Sequence, residues 1–145
     1  MKKIERENVR LVRAFYYAML GGDWTAAKSL LDPNLQWVEP NIPGLWFSGT
    51  HFDADTVFKK IIDLAYDKFD NFHVKIKKEF GAGDHVIALG SFHGRGKTTG
   101  LNLNARTAHV WTLREGKAIR FQAFHDELEW QVALGVTSVQ TKMAA

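Results

Sequence analysis

The sequence predicts an α+β domain in which helices pack on one face of a strongly curved antiparallel sheet. Apolar residues at helical spacing dominate the first 65 or so residues, and the alternation typical of strands dominates the rest. The length of 145 residues fits a single domain, for which we expect a core over about residues 5–135. A sheet bent over a helix leaves a conical pocket at its open end, where a small ligand would bind.

Three helices are predicted ahead of most of the strands, because apolar residues recur there at three- and four-residue steps. Their expected ranges are 4–19, 24–31 and 57–65. The residues expected to begin or end them are Gly21-Gly22, Asp23, Asp32-Pro33-Asn34 and either Asp53 or Asp55.

Period-two patterning predicts five strands, at residues 35–39, 72–77, 85–93, 106–113 and 118–125. Residues 41–50 are expected to form a loop with exposed aromatic side chains, and residues 94–100 a bent strand end or hairpin. Arg114-Glu115-Gly116-Lys117 predicts a tight hairpin turn. A short helix over residues 127–134 should end at Gly135, with the chain fraying from Val136 onward.

Composition and charge exclude several classes of protein. Nineteen Lys and Arg against 16 Asp and Glu give a net charge of +3, far below that of a dedicated nucleic-acid binder. The absence of Cys excludes disulfides, Cys-based zinc sites and thiol catalysis, and the six His show no metal-ligand spacing. No signal peptide or stretch of roughly 18 apolar residues is visible. We therefore expect a cytoplasmic protein with no metal, cofactor, nucleic-acid or membrane partner.

Residue patterns along nearly the whole chain resemble a known superfamily. The helix–Gly21-Gly22-Asp23-Trp24–helix order, the strand end Trp37-Val38-Glu39-Pro40 and Ser48-Gly49-Thr50 before a helix resemble the nuclear transport factor 2-like (NTF2-like) superfamily. Residues 105–111 and 116–126 are similar to SnoaL-like, ketosteroid-isomerase-related proteins of bacteria. The resemblance implies an NTF2-like cone, with a curved antiparallel sheet wrapped on three N-terminal helices and a pocket at the open end. The superfamily contains isomerases, cyclases, hydrolases, dehydratases and non-catalytic binders, so the fold alone does not define the reaction.

Comparison with ketosteroid isomerase implies one matching catalytic position. Glu39, before Pro40, stands where that family has its aspartate base. Phe15 stands at the position of the family's oxyanion tyrosine, and Ala108 at that of its protonated aspartate. Since both oxyanion donors are absent from these positions, we do not expect authentic steroid isomerisation.

Two further enzyme types in the superfamily give different implications. Limonene epoxide hydrolase needs an Asp-Arg-Asp set, but His93 and Ala123 stand near the two aspartate positions, so that activity is not expected. SnoaL-type cyclases carry an acid/base aspartate ten residues after the hairpin glycine, and Asp126 lies ten residues after Gly116.

Each candidate carboxylate also has a structural interpretation. Asp126 and Glu129 fit a capping box at the start of the last helix, which would hold Asp126 ionised and make it a poor base. Glu39 ends an apolar strand beside Trp37, so it either removes a proton in a dry pocket or is simply solvated. A shift of one residue in strand register would decide between the pocket and solvent, because it moves the Glu39 side chain to the other face of the sheet.

Histidines are the candidate oxyanion donors or proton shuttles. Alternation places His109 and Trp111 on one face of their strand and Ala108 on the other. The isomerase resemblance turns the Ala108 face toward the pocket, which would send His109 to an outer or dimer surface. His125 matches a pocket-facing aromatic position and is the alternative to His109. The remaining candidates for the pocket wall are Phe15, Trp37, Trp46, His93, Ala108, Phe121 and Ala123.

These observations support three hypotheses. The first, which we favour, is a cofactor-independent lyase or isomerase that moves a proton on an apolar carbonyl compound, using Glu39 or Asp126 together with His109 or His125. The second is a non-catalytic protein that binds a small hydrophobic molecule. The third is an interaction protein that forms a homodimer through the outer sheet face, with His109 and Trp111 at the interface.

Overall fold

A computed structural model of the chain describes residues 1–136. The fraying expected from Val136 onward lies outside this range except for Val136 itself, whose amide donates to the carbonyl oxygen of Gln131 at 2.9 Å. The helices are α1 (Lys3–Leu20), α2 (Trp24–Ser29), α3 (Ala54–Val57), α4 (Asp63–Lys68) and α5 (Glu127–Leu134), with a π-helical segment, Phe58–Ile62, joining α3 to α4. The strands are β1 (Leu31–Glu39), β2 (Gly49–Phe52), β3 (Phe69–Ala82), β4 (His85–Gly96), β5 (Asn102–Arg114) and β6 (Lys117–His125).

The six strands form one curved sheet in the order β2-β1-β6-β5-β4-β3, which together with the helices confirms the predicted α+β class. Four of the five strand pairings are antiparallel, whereas β1 and β6 run parallel. The expectation of a purely antiparallel sheet is therefore wrong at this one pairing. The parallel pair is possible because the long excursion from β2 to β5 separates β1 from β6 in the chain.

The helix boundaries follow local hydrogen bonds. Asp23 begins α2 by accepting a hydrogen bond from the Ala26 amide, as predicted. Of the two residues proposed to begin the third helix, Asp53 does so, because its carboxylate accepts from the Thr56 amide at 2.7 Å. Asp55 instead pairs with Lys28 on the surface.

The second helix is shorter and the first strand longer than the sequence indicates. Leu31, assigned above to the helix, already pairs with Ala118 of β6. Pro33 lies where the register between β1 and β6 shifts, a position at which a strand tolerates a residue without an amide proton. The predicted loop at residues 41–50 also ends in a strand that sequence patterning does not show, because β2 has only four residues.

Turn chemistry sets the β5–β6 hairpin on which much of the site depends. Glu115 and Gly116 adopt φ of 50° and 75°, the positive pair required by a tight hairpin turn, and Arg114 pairs with Lys117 as predicted. Gly135 ends α5 in the left-handed conformation, also as predicted.

The hydrophobic core fills the concave side of the sheet beneath α1 and the helical segment at residues 54–68. Val12 of α1, Leu35 of β1 and Val57 of α3 are fully buried there. No helix within residues 1–136 is long and apolar enough to cross a membrane.

Candidate functional site

An apolar cavity of about 90 Å³ lies between the concave face of the sheet, α1 and the helical segment at residues 54–68. Much of its wall is aromatic, formed by Phe15, Trp37, Phe47, Phe92, Phe121 and Trp130. Tyr16, Leu20, His73 and Val74 also border an open groove of about 420 Å³ between α1 and β3. The cavity is smaller than the roughly 300–1,000 Å³ of drug-sized sites, so we expect its ligand to be small.

The end of β1 brings a buried carboxylate into this cavity. Oε1 of Glu39 lies 2.7 Å from Nε2 of His125 on β6, and the two side chains are only 6% and 3% exposed. Trp37, two residues earlier on the same face of β1, donates its indole N–H to Oε2 of Glu39 at 2.8 Å. Of the two interpretations of Glu39, the solvated carboxylate is therefore excluded.

Thr107 determines how many protons the Glu39–His125 pair holds. Its hydroxyl donates to the carbonyl oxygen of Phe124 at 3.0 Å, so it can only accept from Nδ1–H of His125, 3.3 Å away. With Nδ1 protonated, Nε2 of His125 and Oε1 of Glu39 share one further proton. The pair is then neutral as a unit, either as carboxylate with imidazolium or as carboxylic acid with imidazole.

A second polar chain reaches the cavity through His109 of β5. The indole N–H of Trp111 donates to the Tyr16 hydroxyl at 2.9 Å, and this hydroxyl lies 2.5 Å from Nδ1 of His109. Because the Tyr16 oxygen already accepts from Trp111, its own proton points to Nδ1 of His109. The remaining imidazole proton is then on Nε2, which is buried and has no hydrogen-bond partner.

Burial determines the charge states of Tyr16 and His109. It raises the pKa of Tyr16 far above its ordinary value, so the phenol stays protonated. It also holds the pKa of His109 well below 6.5, and the nearby His125 lowers it further. His109 is therefore a neutral imidazole in the cavity wall, with one N–H that has no partner among residues 1–136.

The π-helical segment positions another aromatic side chain. Ile61, within this segment, accepts a hydrogen bond at its carbonyl oxygen from the Trp46 indole N–H at 3.1 Å. A π-helical turn frees carbonyl groups from the regular α-helical ladder, which makes this contact available. Trp46, predicted to line the pocket, is thereby held in its wall.

The face of β5 that points inward is the opposite of the one implied by the isomerase resemblance. His109 and Trp111 are 2% and 1% exposed and belong to the interior, whereas Ala108 lies on the outer face. The assignments of Ala108 to the pocket and of His109 and Trp111 to a dimer surface are therefore wrong. Alternation defines two faces of a strand, but the side of the sheet that carries the helices decides which one is buried.

Asp126 does not take part in the cavity. Its carboxylate lies 3.0 Å from Nε of Arg106, and this contact lowers the pKa of Asp126. Asp126 occupies the N-cap position of α5, but its side chain makes no capping hydrogen bond, so the expected capping box with Glu129 is not formed. The carboxylate is directed to the Arg106 guanidinium, which carries a full positive charge, instead of to the first amides of α5.

Two other candidates also lie outside the cavity wall. His93 bonds to Ser91 and stacks on His73, on the face of β4 opposite to Phe92. Ala123 is buried and pairs with His109 of β5. On its other side, Val38 of β1 pairs with Gln122, so the next residue of β1, Glu39, lies beside Ala123. The methyl side chain of Ala123 thus separates the two polar groups without filling the space between them.

The structure therefore brings together Glu39, His109 and His125 with the predicted wall residues Phe15, Trp37, Trp46 and Phe121. Sequence reasoning missed Tyr16 and Trp130 as site residues. Tyr16 follows Phe15 on the apolar stripe of α1, which predicts burial only, and the isomerase resemblance implies a role at the position of Phe15 instead. Trp130 lies on a helix whose placement over the cavity is not visible in a local pattern. Within residues 1–136, no three His, Asp or Glu side chains are arranged to hold a metal ion.

Fold and site together define a small NTF2-like protein with an enclosed polar pair in an apolar cavity. Residues 12–121 match the model of the SnoaL-like domain family, and the chain belongs to this family. This confirms the resemblance seen in the sequence. Among curated proteins, none is significantly similar to the chain.

Solved structures share this fold over most of their length. An NTF2-like protein from Burkholderia thailandensis is 28% identical, with a TM-score of 0.81 over 88% of this chain and 96% of its own. TerC, co-crystallised with polyporic acid, is 21% identical, with a TM-score of 0.79 over 89% and 98%. A putative SnoaL-like polyketide cyclase from Jannaschia is 16% identical, with a TM-score of 0.75 over 94% and 96%. The last two show likeness of fold alone.

Proposed function

We propose that this protein is a cofactor-independent lyase or isomerase that moves a proton on a small, apolar carbonyl compound. The observation that carries the proposal is the buried Glu39–His125 pair. It lines the same cavity as His109, whose Nε2–H has no hydrogen-bond partner. A base and an oxyanion donor on one enclosed surface are the two groups that enolisation requires.

In this mechanism Glu39, in its carboxylate form, removes a proton from the carbon next to the carbonyl group. The C–H electron pair becomes the C=C bond of an enolate, and the carbonyl oxygen takes the negative charge. His109 donates its Nε2–H to that oxygen, with Tyr16 holding the imidazole in the required tautomer. Return of the proton to another carbon gives an isomerase, and departure of a group from the β-carbon gives a lyase.

The alternative is a non-catalytic protein that binds a small hydrophobic molecule. Both oxygens of Glu39 already accept hydrogen bonds, from Trp37 and within the His125 pair, as expected for a structural carboxylate. The TerC structure with polyporic acid supports ligand binding in this fold. The alternative predicts ligand binding without any proton transfer.

Exchange of hydrogen for deuterium separates the two functions without knowledge of the natural substrate. The protein is incubated in D₂O with cyclohexanone, and loss of the α-hydrogen signal is followed by NMR. The proposal predicts exchange faster than in buffer, and a loss of about 10²- to 10⁴-fold for Glu39→Gln. Asp126→Asn, outside the cavity, is the matched control and should keep the rate. Saturable binding of cyclohexanone with exchange no faster than in buffer would establish the binding protein instead.

We also propose that the chain forms a homodimer through the outer face of the sheet. Leu89, Ala108 and Phe124 pair in one row across β4, β5 and β6, and Leu89 and Phe124 are exposed. Adjacent exposed apolar side chains on a sheet favour association. The expected contact surface is therefore this row of Leu89, Ala108 and Phe124. It takes the place of His109 and Trp111, which are buried.

A further inference from the structure

Two residues that line the cavity carry a buried donor without a hydrogen-bond partner. Among the described residues, Nε2 of His109 and Nε1 of Trp130 are the buried side-chain nitrogen or oxygen atoms with no hydrogen bond. Both residues line the cavity, and both are 2% exposed. A buried donor left unpaired costs free energy, and a native protein seldom keeps two in one place unless something else receives them.

Trp130 is held rigidly in this position. Gly96 of β4 lies so close to α5 that a Cβ atom there would collide with the carbonyl oxygen of Ala133. Thr99 donates to the same carbonyl oxygen at 2.6 Å, which ties α5 to the β4–β5 turn. The indole ring packs against Phe92 and His125, with centroids 5.2 and 5.6 Å away. These contacts leave little freedom for the indole to find another acceptor.

The two donors approach the cavity from different walls. His109 belongs to the sheet and Trp130 to the C-terminal helix, and the Phe92 ring packs against both, with centroids 5.6 Å from His109 and 5.2 Å from Trp130. Because the two donors belong to different elements, we expect a single acceptor atom on a ligand to satisfy one donor and leave the other unpaired. Two acceptors on separate sides of one small molecule would satisfy both.

The charges around the cavity indicate a neutral ligand. Among residues 1–136, none of those that form the cavity wall is Lys or Arg, and the carboxylate in this wall, Glu39, is paired with His125. An anionic ligand would find no cation to pair with, and a cationic ligand would compete with His125 for Glu39. The aromatic wall favours a flat or ring-shaped apolar body.

We propose that the cavity recognises an uncharged ring compound with two hydrogen-bond acceptors on different sides, one received by His109 and the other by Trp130. Trp130 is then a specificity-determining residue. The proposal rests on the proposed function only in treating the cavity as the ligand site, and it does not require proton transfer.

Binding of 1,4-cyclohexanedione and cyclohexanone, measured by calorimetry, tests the second acceptor. The dione should bind about 3- to 10-fold more tightly to the wild type, which corresponds to one additional hydrogen bond. Trp130→Phe keeps the aromatic ring but removes the donor. It should abolish this preference, so that the variant binds the dione and cyclohexanone with equal affinity. Trp24→Phe, outside the cavity wall, is the matched control and should keep the preference.

The indole N–H resonance of Trp130 provides a second measurement, which needs only the wild-type protein once that resonance is assigned. It should shift on addition of the dione and much less on addition of cyclohexanone. Equal affinities for the two compounds together with an unshifted resonance would overturn the proposal, because another group such as water would then accept the hydrogen bond from the indole N–H. Failure of both compounds to bind would overturn it as well. The hydrogen–deuterium exchange assay tests the proposed function separately, because a protein without catalytic activity can still prefer the dione to cyclohexanone.

Discussion

Nε2 of His125 lies 2.7 Å from Oε1 of Glu39, and the two side chains are almost completely removed from solvent. They come from strands that run parallel and adjacent, β1 and β6, at the edge of the aromatic cavity. Burying two ionisable groups is costly unless they are paired and their remaining polar atoms are satisfied. Trp37 and Thr107 satisfy those atoms. The pair can therefore exchange its shared proton internally without exposing a net charge to the cavity.

Replacement of Glu39 separates its chemical role from its structural one. Glu39→Gln should retain the fold, because the amide can accept from Trp37 and donate to Nε2 of a neutral His125. Glu39→Leu leaves Trp37 and His125 without partners and should lower the free energy of unfolding by about 3–5 kcal/mol. Urea denaturation at pH 7 measures both. Equal stability of the Gln and Leu variants would show that the pair contributes nothing specific to the fold.

Much of the fold could be predicted from local patterns, but the faces of its elements could not. The apolar spacing of α1, the Glu115-Gly116 turn and the Gly135 terminus predict the elements correctly because each is decided within a few residues. The inward face of β5 depends on where the helices pack, which no residue of β5 encodes alone. Glu39 and His125 could be proposed singly, yet their pairing depends on the parallel register of β1 and β6. Trp130 enters the site because α5 packs back on β4 and β5, where Gly96 leaves room for the carbonyl group of Ala133.

Tyr16→Phe tests the polar chain that ends at His109. The change removes the acceptor of the Trp111 indole and the donor to His109 Nδ1, both buried. We expect a loss of about 1–3 kcal/mol in the free energy of unfolding, since a buried partner is left unsatisfied. Nitrogen-15 chemical shifts should also show that the fixed Nε2–H tautomer of His109 becomes a mixture. Tyr17→Phe, at a tyrosine that is 81% exposed, is the control. A Tyr16 variant as stable as the Tyr17 variant, with an unchanged tautomer, would contradict the assigned chain.

Stability should fall with acidification because of His109. The folded-state pKa of His109 is well below 6.5, so the unfolded chain binds a proton near pH 6.5 and the folded protein does not. The stabilisation from the neutral imidazole is therefore complete above about pH 6.5 and is lost progressively as the pH falls toward the folded-state pKa. The slope for one proton is about 1.4 kcal/mol per pH unit.

His109→Gln should flatten that slope between pH 6.5 and 5 in denaturation experiments at several pH values. The lowered pKa values of Asp53 and Asp126 add to the pH dependence only as the pH falls below about 5, outside this window. His93→Gln is the comparison variant: partial burial and the neighbouring His73 also lower the pKa of His93, but this side chain is more exposed, so its substitution should flatten the slope less than His109→Gln does. An identical slope in the His109 variant and the wild type would show that His109 is not buried in its neutral form.

Asp126→Asn should affect neither stability nor chemistry strongly. The carboxylate pairs with Arg106, whose side chain is 86% exposed, and exposed ion pairs contribute little because solvent screens them. Arg106→Gln should have the same small effect on urea denaturation, and neither variant should slow hydrogen exchange on cyclohexanone. A large loss of exchange in Asp126→Asn, with the fold intact, would restore Asp126 as the base implied by the cyclase resemblance.

The outer-face dimer makes a prediction that does not depend on the cavity. Phe124→Lys places a charge in the exposed apolar row with Leu89 and Ala108, so each protomer would carry an unpaired charge into the contact. We expect sedimentation of the wild type as a dimer and of this variant as a monomer, with unchanged cyclohexanone binding. Phe52→Lys is the matched control, because Phe52 is also exposed but lies on the edge strand β2. A monomeric wild type, or equal dissociation by both substitutions, would remove the row from consideration as an interface.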